Sequence, residues 1–241
     1  MKKLKLLLFL IPLFFAISCE DNSGDYVNQL YTDNEMVTAI HQCVTACVDT
    51  ANAHLSVPDS VGVGFYNYQE GKYRISLPQN MQYVIDTLVQ HGESELVDNF
   101  IRKINVAASS CGGGIRNFVT NSLSNMDFIS PLALLEKDST AIVTYFYTMN
   151  YVGFNSAIST HISAQSTYSE AVSLWNEMCE KYLQYTEQNI NFELKTGVVG
   201  QISAGIFEEM KLEEILIRTD STHRGKIHSK MYDVFGNFEK R

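Results

Sequence analysis

After residue 32, apolar side chains recur at three- and four-residue spacing along nearly the whole chain, which is the signature of amphipathic helices. Thr32-Asp33-Asn34-Glu35 reads as a capping box. Met36, Val37, Ile40, Cys43, Val44, Cys47, Val48, Ala51 and Leu55 then mark one face of a helix of about six turns, ended by Pro58. The stretch 56–77 breaks the pattern, with Gly62, Gly64 and Gly71 among Phe65, Tyr66, Tyr68 and Tyr73; Tyr73–Leu77 reads as a short extended piece. Pro78 opens the next helix, where its missing N–H does no harm; Met81, Val84, Ile85, Leu88 and Val89 point inward, and Gly92 ends it.

A further helix runs from about Ser94, with Leu96, Val97, Phe100, Ile101, Ile104 and Ala108 inward. Cys111-Gly112-Gly113-Gly114 should break or bend it before Ile115, Phe118, Val119 and Leu123 resume the period. Ser130-Pro131 starts a short helical turn. Ser139 is expected to cap a helix carrying Ile142, Val143, Phe146 and Met149 past Gly153 toward Ile162. Thr167–Glu170 reads as a second capping box before Val172, Trp175, Met178, Cys179, Tyr182 and Leu183. Val198, Ile202, Ile206, Phe207, Met210, Leu212, Ile215 and Ile217 give another helix, and Ile227 to Phe235 a last one ending at Gly236. No alternating run suggests a sheet and no repeat is visible. The expected fold is an all-α multi-helix bundle of about eight or nine helices, one domain over 33–241.

The N-terminus has a different pattern. Lys2, Lys3 and Lys5 precede an apolar run from Leu6 to Ile17, about a dozen residues where a spanning helix needs ~20, and Pro12 interrupts it. Small residues then lead into Cys19. This resembles the lipobox of bacterial lipoproteins, so residues 1–18 read as a signal peptide and Cys19 as an acylated, palmitate-bearing first residue of the mature chain. Residues 19–32, with Glu20, Asp21, Ser23, Gly24 and Asp25, read as a flexible tether. Acid directly after the Cys resembles the export signal of surface lipoproteins in Bacteroidota; in other Gram-negative bacteria similar acids mark inner-membrane retention, so the leaflet stays open while the extracytoplasmic side does not. The expected location is extracytoplasmic, lipid-anchored to the bacterial envelope, at the outer membrane or cell surface.

Charge narrows the partners. The chain carries −9, and removal of residues 1–18 takes away three lysines and no acid, leaving −12. That argues against nucleic acid and against charge-driven docking on anionic lipid; the membrane partner is reached through the N-terminal lipid.

Several stretches, taken in order, resemble a bacterial family catalogued as domain of unknown function 4197, whose members are mostly secreted or lipid-anchored. Ile75-Ser76-Leu77-Pro78 is similar to its I-P-L-P, and Ile104-Asn105-Val106-Ala107-Ala108 to its M-N-R-A-A. Met126-Asp127-Phe128 with Leu134-Leu135 resembles M-x-F…I-L, and Thr140-Ala141 with Tyr145-Phe146 resembles D-T-A-A-T-x-Y-F. Glu213-Glu214, Ile217-Arg218, Arg224 and Val234-Phe235-Gly236 resemble E-E-x-x-I-R…R…V-F-G. The chain departs from the pattern at Ser139 (Asp in the family) and Val106 (Arg), and lacks an Asn-Pro turn before Arg224. The resemblance implies fold and compartment; the family has no established activity.

Candidate chemistry is sparse. Glu208, Glu209, Glu213 and Glu214 form an acidic helix segment with Arg218 four residues after Glu214, the spacing of an exposed helical ion pair. The sharper reading joins Glu213, Glu214, Arg218 and Arg224 in one polar cluster that locks the C-terminal helix or grips a ligand. Cys43 and Cys47 lie on the apolar stripe as small hydrophobes; disulfides to Cys111 or Cys179, or metal ligation with His41 and His54, are the alternatives. A nucleophilic Cys111 or a phosphate cradle at Gly112–Gly114 lacks the accompanying residues such sites need. Tyr145, Tyr147 and Tyr151 with Phe146 and Phe154 suit either core or a groove. No metal, cofactor or catalytic set is expected. The sequence thus points to a non-enzymatic envelope module binding a partner protein or small ligand, with a carboxylate-based hydrolase or other envelope enzyme as the alternative.

Overall fold

The computed structural model describes residues 31–56, 64–226 and 229–238. In chain order they form α1 (Asp33–Ser56), a 3-10 turn (Gln79–Met81), α2 (Gln82–Gln90), α3 (Ser94–Ser109), α4 (Gly112–Ser124), α5 (Pro131–Glu136), α6 (Ala141–Ser163), α7 (Ser166–Thr186), α8 (Leu194–Thr219), α9 (Ser221–Gly225) and α10 (Ser229–Phe238). No strand occurs among the described residues, and the fold is an all-α multi-helix bundle.

The α1 stripe is the axis of the bundle. Met36, Ala39, Ile40, Cys43, Val44, Cys47, Val48, Ala51 and Leu55 are all buried, with Ala39 in the place expected for the half-buried Val37. α8 packs along α1 more extensively than any other helix, and α4, α6 and α10 surround the same axis. On one flank α3 packs on α7, with Phe100 5.7 Å from Trp175, and α2 crosses α7 through Tyr83 and Tyr182. The capping box forms: Glu35 Oε2 accepts the Thr32 N–H at 3.0 Å, and the Glu35 N–H donates back to Thr32 Oγ1 at 3.3 Å. Lys230 Nζ donates to the same Glu35 at 2.9 Å, tying α10 to the start of α1. Gly92, at φ +87°, ends α2 as expected, in a backbone region that favours glycine.

Several local expectations are corrected. Thr167 and Glu170 form no capping box, because α7 already begins at Ser166 and Glu170 pairs instead with Lys103 on α3. Ser139 does not cap α6; the preceding turn is held by Asp138, which accepts the Thr140 N–H at 3.0 Å, and the first N–H groups of the helix go elsewhere, as described below. α10 continues through Gly236 to Phe238, while Pro58 and Ile227 lie outside the described residues. Val89, Met149, Leu183 and Leu212, read as inward, are substantially exposed. Among the described residues Tyr73–Leu77 has no strand to pair with. Asn105 of α3, fully buried, instead serves Ile75 as a neighbouring strand would: its Oδ1 accepts the Ile75 N–H at 2.7 Å and its Nδ2 donates to the Ile75 carbonyl at 2.8 Å. Gln201 of α8 does the same for Ser76, at 3.1 and 2.9 Å.

Candidate functional site

Among the described residues the buried carboxylates gather on α8. Glu209, Glu213 and Glu214 are 4%, 2% and 0% exposed, which excludes the exposed ion-pair reading of this segment. Glu214 faces the start of α6, whose first N–H groups have no partner within the helix. Its Oε1 accepts the Ile142 N–H at 3.1 Å and its Oε2 the Val143 N–H at 2.8 Å, so a carboxylate from another helix caps α6 and complements its dipole. One turn on, Arg218 donates from Nε to Glu214 Oε1 at 2.9 Å, and from its other two nitrogens to the carbonyls of Leu135 (2.8 Å) and Leu134 (3.0 Å) in α5. Its guanidinium also lies 5.4 Å from the ring centroid of Phe235 in α10. Burial pushes the Glu214 carboxyl up, against the pull of Arg218 and the two N–H donors. A single pair therefore joins α5, α6, α8 and α10.

Glu213 and Arg224 take separate partners. Glu213 Oε1 lies 2.7 Å from His223 Nε2 in α9. Arg224 is 1% exposed and donates to the carbonyls of Ile217 (2.5 Å) and Arg218 (3.2 Å), which satisfies the last turn of α8. Asp220 sets the turn between α8 and α9 by accepting the Thr222 and His223 N–H groups at 2.8 and 3.0 Å.

Glu209 makes a second polar group. Its Oε2 lies 2.9 Å from His54 Nδ1, and its Oε1 accepts the Tyr73 hydroxyl at 2.7 Å; Lys72 Nζ donates to that hydroxyl at 2.6 Å. Burial and then the Glu209 bond hold the Tyr73 phenol well above its ordinary range. The His54 side chain is 55% exposed, so the group reaches from the core to the surface.

A concave surface lies away from these carboxylates. A cleft of about 620 Å³ opens between α4, the α4–α5 connection and α6, bordered by Phe118, Met126, Tyr145 and Met149 with Asn125 and Asn150. Ile129 on its wall is 94% exposed and Met149 63%, which leaves apolar side chains of both elements open.

The family model described as "Protein of unknown function (DUF4197)" matches residues 30–236. The chain belongs to this family. Neither a curated protein nor a solved structure matches it. Within this DUF4197 domain the stretches that carried the resemblance are physically joined. Ile75 is bonded to Asn105, the Leu134-Leu135 carbonyls to Arg218, the start of α6 to Glu214, and Phe235 stacks on Arg218.

Of the predicted cluster, Glu214 and Arg218 are in direct contact, whereas Glu213 and Arg224 serve α9 and the end of α8. Cys19 and the tether through residue 30 lie outside the described residues. Cys43, Cys47, Cys111 and Cys179 are free thiols; the first three are buried in the core, and burial pushes Cys47 up and Cys111 up to about 12, the wrong direction for a nucleophile. No group of side chains able to hold a metal, and no helix long and apolar enough to cross a membrane, occurs among the described residues. The glycine run makes a bend: α3 ends at Ser109, α4 starts at Gly112, and a Cβ on Gly114 would fall 1.5 Å from the His161 ring. Tyr147 stacks on Phe207 at 4.1 Å, with its hydroxyl 2.8 Å from Ser203 Oγ, while Tyr145 borders the cleft. Sequence reading missed Asn105, Gln201 and the separate role of Glu209. A signal existed for Glu209, four residues before Glu213 and so on the same helix face.

Proposed function

We propose that this DUF4197 protein is a lipid-anchored protein of the bacterial envelope, held through Cys19, and a non-enzymatic helical module whose cleft between α4 and α6 accepts an apolar group of a partner protein or small ligand. The observation that carries the reading is the cleft itself: about 620 Å³, within the ~300–1,000 Å³ of small-ligand sites, with Ile129 and Met149 open to solvent. The amides of Asn125 and Asn150 supply the few polar groups that orient a bound molecule. The Glu214–Arg218 pair, by contrast, is taken up in holding helices together.

The test uses the neutral fluorophore N-phenyl-1-naphthylamine with the purified full domain. Saturable binding is expected, weakened about tenfold or more by Met149→Glu, which places a charge on the apolar wall at an exposed position where folding is untouched. Absence of saturable binding, or equal binding by the variant, overturns the assignment.

A second reading, an envelope hydrolase, is favoured by one observation, the buried Glu209 bonded to the half-exposed His54. It requires turnover of an ester or amide probe that His54→Ala abolishes while the melting temperature is kept.

A further inference from the structure

We infer that a second pocket, on the opposite arm of α3 from the glycine bend, is a binding site for a small oxyanion, a carboxylate or phosphate, on a molecule that also carries a hydroxyl or ammonium donor. The pocket holds about 500 Å³ and is lined by Tyr68, Gln69 and Arg74 from the irregular segment before α2, and by Asp98, Asn99 and Arg102 from α3. This site is separate from the α4–α6 cleft and does not depend on its function.

Five of the six arginines lie among the described residues, Arg241 being outside them. Among the described residues Arg116 pairs with Asp49, Arg218 with Glu214, and Arg224 is buried against the carbonyls that end α8. The two that remain, Arg74 and Arg102, have no carboxylate partner among the described residues, and both line this one pocket. Arg102 has an available acid at helical spacing, Asp98 four residues earlier, yet it donates to the neutral Asn99 Oδ1 at 3.0 Å. Arg74 donates to the Gln69 carbonyl at 2.8 Å. Each guanidinium carries five N–H donors and spends one on the pocket wall, which fixes its position and leaves donors in the fork geometry that fits carboxylate and phosphate oxygens.

The two arms of the site are also built to hold still. Ile75, next to Arg74, is bonded at both its N–H and its carbonyl by Asn105, one turn after Arg102 on the same helix. Gly71 closes the turn that delivers Arg74: its N–H donates to the Asn67 carbonyl at 2.8 Å, and the Arg74 N–H donates to the Gly71 carbonyl at 3.1 Å. A Cβ at Gly71 would fall 2.5 Å from that Asn67 oxygen, so the turn needs glycine. An oxyanion arriving here meets donors already in place and loses little to ordering. Asp98 sets the second requirement: an acceptor beside two cations admits an anion only if the same molecule brings a hydroxyl or ammonium to it.

Calorimetric titration of the full domain with L-malate, glycerol 3-phosphate and inorganic phosphate tests the inference and separates the two oxyanions. Binding of malate or glycerol 3-phosphate is expected, weakening as salt rises and falling about tenfold or more in Arg74→Gln and in Arg102→Gln. Asp98→Asn should weaken the hydroxylated probes while leaving inorganic phosphate unchanged or tighter. All three side chains are exposed, so unchanged melting temperatures will verify that the variants fold. If none of the three probes binds, or if both arginine variants bind as the wild type does, the site is refuted.

Discussion

Replacing Glu214 with Ala is the perturbation whose magnitude the structure defines best. Glu214 is fully buried and Arg218 is 10% exposed at the side chain, so the substitution leaves a guanidinium in the core without its carboxylate. Breaking a buried pair from one side costs about 3–5 kcal/mol. The Ile142 and Val143 N–H groups lose their acceptor as well, at ~1–3 kcal/mol each in isolation. These losses share one carboxylate and do not add, so the whole effect should stay near the buried-pair range. For a domain of this size that is a fall of about 6–20 °C in melting temperature. Thermal and urea unfolding followed by circular dichroism measure it. The control is Glu208→Ala, six residues earlier on the same helix, which removes a half-exposed partner of Lys211 and should cost no more than ~1 kcal/mol. Arg218→Ala should cost about as much as Glu214→Ala, and the double variant far less than the sum of the two. A Glu214→Ala variant within ~1 kcal/mol of wild type, or no worse than Glu208→Ala, refutes the lock.

Three further predictions follow from other parts of the fold. Asn105→Leu should destabilise by ~2–4 kcal/mol in urea unfolding, because it fills the space but leaves the Ile75 N–H and carbonyl unpaired. Gly113→Ala should raise stability by up to ~1 kcal/mol, since open space surrounds the new methyl, whereas Gly114→Ala should lower it by displacing His161; equal effects would contradict the packing at the bend. The Glu35 carboxyl is lowered to about 2, first by the Thr32 N–H and then by Lys230. A depressed acid stabilises the fold above its ordinary range and loses that contribution as pH falls toward the folded value. The melting-temperature gap between wild type and Glu35→Gln should therefore be full near neutrality and close as pH drops from about 4.5 to about 2.

Periodicity made the helices legible because it records burial directly: the α1 stripe, the Thr32–Glu35 box, the Gly92 stop and the break before Gly112 all depend on neighbours in sequence. What the sequence concealed depends on distant neighbours. Thr167 and Glu170 have the spacing of a capping box, but Lys103, 67 residues before Glu170, holds the glutamate. Ser139 has the chemistry of a cap, but Glu214 supplies the acceptor from another helix. Met149 and Leu212 fit the helical period yet face outward, because long helices such as α6 and α8 pack on different neighbours along their length. The Glu214–Arg218 pair was legible as a pair by its spacing; its burial was not, since spacing alone does not distinguish a solvated face from one covered by α5, α6 and α10. The cleft was least legible, because its wall comes from a connection without periodicity.

Mass spectrometry of the protein released in detergent from its native envelope tests the proposed function most directly, under denaturing and then native conditions. The expected result is a chain that starts at Cys19 with fatty-acyl groups attached, and, in the native spectrum, an added apolar molecule or partner that is missing from Met149→Glu. An intact Met1, an unmodified Cys19 thiol, or native spectra in which wild type and Met149→Glu carry the same load would contradict it.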